Sequence, residues 1–326
     1  MKIGIIGTGW GSRVQVPAFR EAGLDVAINA GHANWRDAID ADVELVSIVT
    51  PPSEHLEMAT AAFEAGKHIL SEKPTAMNAS EAEQLVALAR RDPSRVTIID
   101  HELRFLPAWR AARERIHELG GVRFAEARYS SPGRGDRTRP WNWWSDAARG
   151  GGIWGAVGSH FVDALRYFGM EIDAVQALLH TIIDERSGRA VTADDLASVN
   201  FRLRGGAIGA MTFNAVSSGP DEASTLTIHC EDGAIRLVNE EALFAKRGGT
   251  FERFAGDELA SRPGNSPGGA FGSGTVHLAH ALRAAIDEGD RDALAPAATF
   301  EDGLAQQRVL DAARRSSAND GSWEKV

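Results

Sequence analysis

The sequence predicts an α/β fold in which a doubly wound parallel sheet is followed by a more open, mostly antiparallel one. Three observations predict it. An apolar strand, Lys2 to Ile6, turns at once on Gly7-Thr8-Gly9-Trp10-Gly11-Ser12; up to about Leu119 short apolar runs alternate with helical ones; after Gly120-Gly121 apolar residues instead fall at every second position. The expected domains are therefore 1–119 and 120–326, with the last helices able to pack back on the first.

The opening strand and its turn read as a dinucleotide cradle. Gly7 permits the tight turn, and Gly9 lets the backbone approach a pyrophosphate, whose charge faces the N–H groups of a helix running through Phe19 and Ala22. Ser12 stands where a third glycine is usual and is small enough for close helix–strand packing. Glu44 to Val49 is the next strand, ending at Thr50-Pro51-Pro52, and a helix follows from Ser53 with Leu56, Ala59 and Phe63 on one face and Gly66 as its stop. Strand His68 to Leu70 runs into Glu72-Lys73-Pro74. Ser80 and Glu83 have capping-box spacing before a helix that ends near Asp92-Pro93, and Val96 to Ile99 is the next strand. Ligands of such sheets lie beyond the carboxyl ends of the strands, so Thr50, Lys73 and His101 are expected on one rim.

In the second half Val199, Phe201 and Leu203 alternate with polar neighbours, turn at Gly205-Gly206 and return over Ala207 to Phe213. Leu226, Ile228 and Cys230 alternate up to a turn at Asp232-Gly233. A glycine-, proline- and serine-rich loop is expected over Ser261 to Gly274, before amphipathic helices around Leu278 to Ile286 and Leu304 to Ala313.

At 326 residues two domains are the default. A formal net charge of −10 argues against nucleic acid or an anionic membrane as partner, so the expected ligand is a small molecule. The single cysteine, Cys230, excludes an internal disulfide framework, and no run has the length of a membrane span, so a cytoplasmic protein is expected.

The glycine turn, Thr50-Pro51, Glu72-Lys73-Pro74, and Gly150-Gly151-Gly152 followed by Gly158-Ser159-His160 stand in the order of a known family. Nearly the whole chain resembles the glucose–fructose oxidoreductase, inositol dehydrogenase and rhizopine-catabolism family. The resemblance implies a Rossmann domain joined to an α/β domain with a large open sheet, NAD or NADP as cofactor, and a sugar, cyclitol or related polyol as substrate. It further implies a homodimer or homotetramer assembled through the C-terminal sheet. The implied cofactor set is Gly7, Thr8, Gly9, Trp10, Gly11, Ser12, Thr50, Pro51, Pro52, His55, Glu72 and Lys73, with no metal.

Oxidising an alcohol by hydride transfer requires its hydroxyl proton to leave, and an ammonium beside the oxygen stabilises the developing charge; Lys73 is the first candidate for that role. The resemblance suggests a cis Lys73–Pro74 bond and makes His160 a second proton-handling group, since an unperturbed imidazole titrates near neutrality. Where the family commonly carries an aspartate one helical turn before that histidine, this chain has Ala156, and Asp163 is either a partial substitute or structural. Trp141, Trp143, Trp144 and Trp154 either wall a sugar pocket or form core. His101, Arg104, Arg149 and Ser159 complete the substrate candidates, the two arginines being either anion-binding or structural ion pairs. Near position 32, where an acid is expected on the ribose, Asn29 to Asn34 offers neither a carboxylate nor an arginine; Arg36 is the nearest cation, and the stretch is short against the family pattern. Two other functions fit the same residues: a dinucleotide-binding sensor without catalysis, and a glycoside hydrolase or lyase that uses NAD as a transient oxidant.

Overall fold

In the computed structural model, which describes residues 1–219, 223–256 and 269–326, the first apolar runs form strands Lys2–Ile6 (β1), Asp25–Ala30 (β2), Leu45–Ile48 (β3), His68–Ser71 (β4) and Thr97–Ile99 (β5). Helices Val16–Glu21 (α1), Arg36–Asp40 (α2), His55–Glu64 (α3) and Ala79–Arg90 (α4) connect them. Further along lie helix Pro107–Arg115 (α5), strand Val122–Ser130 (β6), helix Ser159–Tyr167 (α6) and strands Ile172–His180 (β7), Glu185–Arg186 (β8) and Arg189–Ala190 (β9). Strands Leu196–Leu203 (β10), Ile208–Asn214 (β11), Ala223–Cys230 (β12), Gly233–Val238 (β13), Glu241–Lys246 (β14) and Glu252–Ala255 (β15) follow. Helix Ala270–Asp287 (α7), strand Ala298–Thr299 (β16), helix Phe300–Ala318 (α8) and strand Glu324–Lys325 (β17) end the chain.

By internal contacts the chain divides into two units, Met1–Leu106 with Asp257–Leu304, and Pro107–Gly256 with Ala305–Val326. The sequence pattern suggests domains 1–119 and 120–326, with the last helices able to pack back on the first.

The first unit is built on a six-stranded sheet ordered β16-β5-β4-β3-β1-β2, parallel except for β16. All four residues of β3 are buried, as a strand covered on both faces requires. Ile3, Ile5, Leu70 and Ile98 share one core cluster with Phe19, Leu278 and Leu282, while Ile6, Ile48, Ile69 and Ile99 share another with Phe63, Leu85 and Phe300.

Helix α4 starts one cap earlier than expected. Its cap is Asn78, whose side chain accepts from the Glu81 N–H at 3.0 Å while the Glu81 carboxylate accepts from the Met77 N–H at 3.1 Å; Ser80 and Glu83 lie within the helix. Asn78→Ala is expected to cost about 1 kcal/mol in chemical denaturation and Ser80→Ala next to nothing. The expected loop up to Gly274 is also corrected: residues 261–268 lie outside the described set, but α7 is already helical from Ala270.

The second unit carries a nine-stranded sheet ordered β15-β14-β13-β12-β6-β11-β10-β7-β17, antiparallel except where β6 meets β11. Along β10 exposed and buried residues alternate, so one face is covered and the other open. On the covered face Phe213 packs against Trp154 and Phe161, with ring centroids 6.0 and 5.3 Å apart. On the open face Arg128, Thr212, Ser198 and Leu178 form one cross-strand row. No helix among the described residues is long and apolar enough to cross a membrane.

Candidate functional site

In the first unit the glycine turn leaves β1 at the carboxyl edge of the parallel sheet. Gly7 adopts φ 135°, and a Cβ there would lie 2.3 Å from the Val49 carbonyl oxygen, so only glycine fits. A Cβ at Gly9 would meet nothing within 4 Å: the space over it is open to a ligand. Close packing against the sheet falls to Gly11, whose Cβ would touch the Ile5 side chain at 3.0 Å, and not to Ser12 as the spacing suggested. Ser12 instead accepts from the Asn29 amide at 2.7 Å, tying the turn to the end of β2. These residues fit a dinucleotide pyrophosphate: exposed backbone at Thr8 and Gly9, with no side chain in the way.

Thr50, Lys73 and His101 follow β3, β4 and β5, adjacent parallel strands, so they share the rim with the glycine turn. The Lys73–Pro74 peptide is cis. Beneath the rim His55 is fully buried, with Nε2 2.9 Å from the Thr50 carbonyl and Nδ1 3.1 Å from that of Pro74. It joins the loops after β3 and β4 from below, which corrects its expected place among groups facing the cofactor. Burial pulls its pKa down despite these carbonyls. Pro52 is buried as well, while Pro51 is half-buried.

The sequence reading missed a group of carboxyls around Lys73. Gln15, on the turn before α1, donates its amide to Asp100 at 2.8 Å and to Glu72 at 3.4 Å, and accepts from the Ser47 hydroxyl at 2.6 Å. Burial holds the Asp100 carboxyl up at about 6. Glu72 and Glu102 are raised well above the usual range, first by burial and then by Asp100, and Lys73 opposes the rise at all three. The only sequence signal was a polar pair, Asp100 and Glu102, directly after an apolar strand.

A carboxyl that holds its proton more tightly in the folded chain adds stability below its unfolded value of about 4 and loses it as pH rises through the folded value. For Asp100 the window runs from about 4 to about 6 and spans at most about 3 kcal/mol. Asp100→Asn is expected to flatten the fall in stability across that window, read from urea midpoints at stepped pH. An unchanged slope would show that Asp100 does not hold this proton. Glu72 and Glu102, and Asp194, also raised to about 6 by burial, contribute to the slope that remains.

At the end of β2, Asn34 caps Gly31 at 3.0 Å, His32 faces Glu54 at 3.1 Å and Arg36 faces Glu57 at 3.5 Å, leaving α2 only five residues long. Arg104 is buried, 3.6 Å from Asp302 and within 3.4 Å of the Pro296 and Ala297 carbonyls, a structural ion pair and not a surface anion site.

In the second unit Gly150-Gly151-Gly152 passes under Trp144. A Cβ on Gly151 would lie 2.5 Å from the Trp144 carbonyl, and one on Gly152 would lie 2.2 Å from the Asp194 carboxylate. Asp194 accepts from the Trp154 N–H at 2.7 Å and so anchors the turn, a π-helical stretch over Trp154–Gly158, that leads into α6. His160, Asp163 and Ser159 are all buried on α6, and Ala156 is buried in the turn before it. Ser159 is fully buried, and its carbonyl accepts from the Gln306 amide at 2.7 Å. Trp154 is core, its indole N–H donating to the Leu310 carbonyl at 3.2 Å. Trp143 and Trp144 form a half-buried pair with centroids 5.9 Å apart; Trp141 is drawn away, donating to the Ala190 carbonyl at 3.0 Å under the Arg189 guanidinium. Arg149 is half-buried beside the glycines.

Comparison with known proteins matches residues 23–99 to the description of an oxidoreductase family with an NAD-binding Rossmann fold, and residues 109–236 to that of the GFO/IDH/MocA C-terminal domain. Glucose-fructose oxidoreductase domain-containing protein 2 from Bos taurus is 30% identical over 366 aligned positions, covering 99% of this chain and 93% of that protein. Levoglucosan dehydrogenase from Pseudarthrobacter phenanthrenivorans is 30% identical over 334 positions, covering 90% of this chain and 83% of that protein. A solved levoglucosan dehydrogenase, in complex with NADH and levoglucosan, superposes with a TM-score of 0.85 at 25% identity, over 100% of this chain and 99% of that one.

Proposed function

The chain belongs to the GFO/IDH/MocA family of NAD-binding oxidoreductases, and from that premise we propose that it moves a hydride between nicotinamide and a secondary hydroxyl of a sugar, cyclitol or related polyol. The observation that carries this reading is Lys73 on the same sheet edge as the glycine turn. When bound, the nicotinamide accepts the hydride from the carbinol carbon. The backbone of Gly7 to Ser12 holds the pyrophosphate, and Thr50 and Pro51 flank the nicotinamide ribose. The Lys73 ammonium stabilises the alkoxide as the hydroxyl proton leaves, and His160 is the second proton-handling group. The half-buried Trp143 and Trp144 rings suit the C–H face of a sugar. NAD is the cofactor we favour: Asn29 to Asn34 carries no arginine for a 2′-phosphate, and Arg36, the next cation in sequence, faces Glu57.

NADH absorbance followed across a panel of anhydrosugars including levoglucosan, cyclitols and ketoses tests the reading. Turnover of at least one supports it; no turnover of any, with NADH binding intact, overturns it. That outcome would favour a dinucleotide-binding sensor, the reading that Ala156 and the short α2 support. Assembly into a homodimer or homotetramer belongs to the same proposal. Its surface is the open face of the nine-stranded sheet, where Leu178 and Ile208 are 59% and 54% exposed. Cys230, buried and unbridged, suits a reducing cytoplasm.

A further inference from the structure

We propose that the second unit carries a binding site for the oxyanion of a small ligand, a carboxylate or a phosphate, with Arg134 as the binding arm and Arg186 as a fixed charge behind it. This site lies within one unit and does not depend on the redox reading.

Arg186, on β8, is 1% exposed. One terminal nitrogen donates to the Asp136 carbonyl at 2.7 Å and the other to the Arg134 carbonyl, while Nε is buried without a partner. A guanidinium with two nitrogens fixed on backbone and the third unpartnered is an expensive object to bury. The loop it holds is clamped a second time by Trp141, which donates to the Ala190 carbonyl of β9 beneath the Arg189 guanidinium.

The Arg134 guanidinium lies 4.8 Å over the Trp144 ring, and among the described residues its side chain forms no hydrogen bond or ion pair. Burial and then Arg186 push its pKa down to about 10, with Arg139 adding to the repulsion and Asp195 opposing it. The Asp195 carboxylate is already held by the Ile182 and Ile183 N–H groups at 3.1 and 2.9 Å. Arg134, half-buried and without a side-chain hydrogen bond, thus faces the fixed Arg186 charge with only the committed Asp195 carboxylate attracting it, while Arg186 itself acts on the exposed Asp136 carboxylate. An oxyanion removes that imbalance. The Arg134 guanidinium, kept beside the Trp144 ring, is a planar fork, and such a fork suits bidentate contact with carboxylate or phosphate.

The test uses the full chain without nicotinamide, titrated calorimetrically with inorganic phosphate, gluconate or chloride at constant ionic strength. Saturable binding of phosphate or gluconate is expected on the millimolar scale. Arg134→Gln should weaken it by roughly tenfold or more. Arg134→Lys should retain part of it, and Arg202→Gln, at an exposed arginine stacked on Trp323, should leave it unchanged. Binding of phosphate alone assigns a phosphate ester, and binding of gluconate alone assigns a carboxylic acid. Parent-like melting of each variant shows that it is folded. The proposal is overturned if phosphate and gluconate give no more heat than chloride in the parent chain, or if folded Arg134→Gln binds as the parent does.

Discussion

Lys73→Met is expected to lower turnover by about two to four orders of magnitude while NADH still binds. Methionine keeps the unbranched stem and removes only the ammonium, so the change reports on charge at the end of β4. If Lys73 stabilises the departing proton's oxygen only in the transition state, kcat and kcat/KM fall together and KM stays put. The neighbours add a second readout. Lys73 is the cation that opposes the upward shift of Glu72, Asp100 and Glu102, so without it all three carboxyls hold their protons more tightly. The fall of stability with pH should therefore be larger and extend to higher pH in Lys73→Met than in the parent. Steady-state NADH absorbance, a fluorescence titration of NADH and urea midpoints at stepped pH measure the three effects. Parent-like turnover would remove Lys73 from the chemistry, and joint loss of NADH binding would make it a cofactor ligand.

The second large effect belongs to Gly7. Its φ of 135° is already strained for any side chain, and an alanine Cβ would lie 2.3 Å from the Val49 oxygen and 2.8 Å from its carbonyl carbon. Neither strand can retreat easily: the Gly7 N–H donates to the Ala30 carbonyl at 2.8 Å, and the Val49 N–H to that of Ile6 at 2.7 Å. Backbone strain of roughly 1–3 kcal/mol plus displacement of three paired strands brings the expected loss to about 3–5 kcal/mol, with NADH binding lost as well. Gly9→Ala separates fold from ligand. Its Cβ meets nothing within 4 Å, so its melting temperature should match the parent while NADH affinity drops. Unchanged NADH affinity in Gly9→Ala would mean that the pyrophosphate does not lie against this turn.

Local pattern was enough where the deciding contacts are near in sequence. The strand from Lys2 to Ile6, the alternation along β10 and the rim position of Lys73 after an apolar run were legible because strand period and glycine or proline punctuation are local signals. Two overlapping patterns, Asn78 with Glu81 and Ser80 with Glu83, made the cap of α4 ambiguous, and the backbone chose the first. Long-range partners were invisible. Nothing near Gln15 shows that its amide meets Asp100, 85 positions away, nor near His55 that its ring meets the Pro74 carbonyl. Arg186 was missed because a two-residue strand has no period, and its burial is set by a loop 50 positions upstream.

The return of Asp257–Leu304 to the first unit bears on how the chain is made. On the ribosome, Ile3, Ile5 and Leu70 emerge early, but Leu278 and Leu282, which cover them, come long afterwards. At roughly 5–20 residues per second, translating the stretch from Leu106 to β16 takes on the order of ten to forty seconds. Throughout that interval Phe19, Ala22 and Leu24 cover that side of the nascent sheet only in part and its β5 edge is open, while the whole of the next unit's sheet from β6 to β15 is being extruded. Slowing translation should therefore increase the aggregation of this protein.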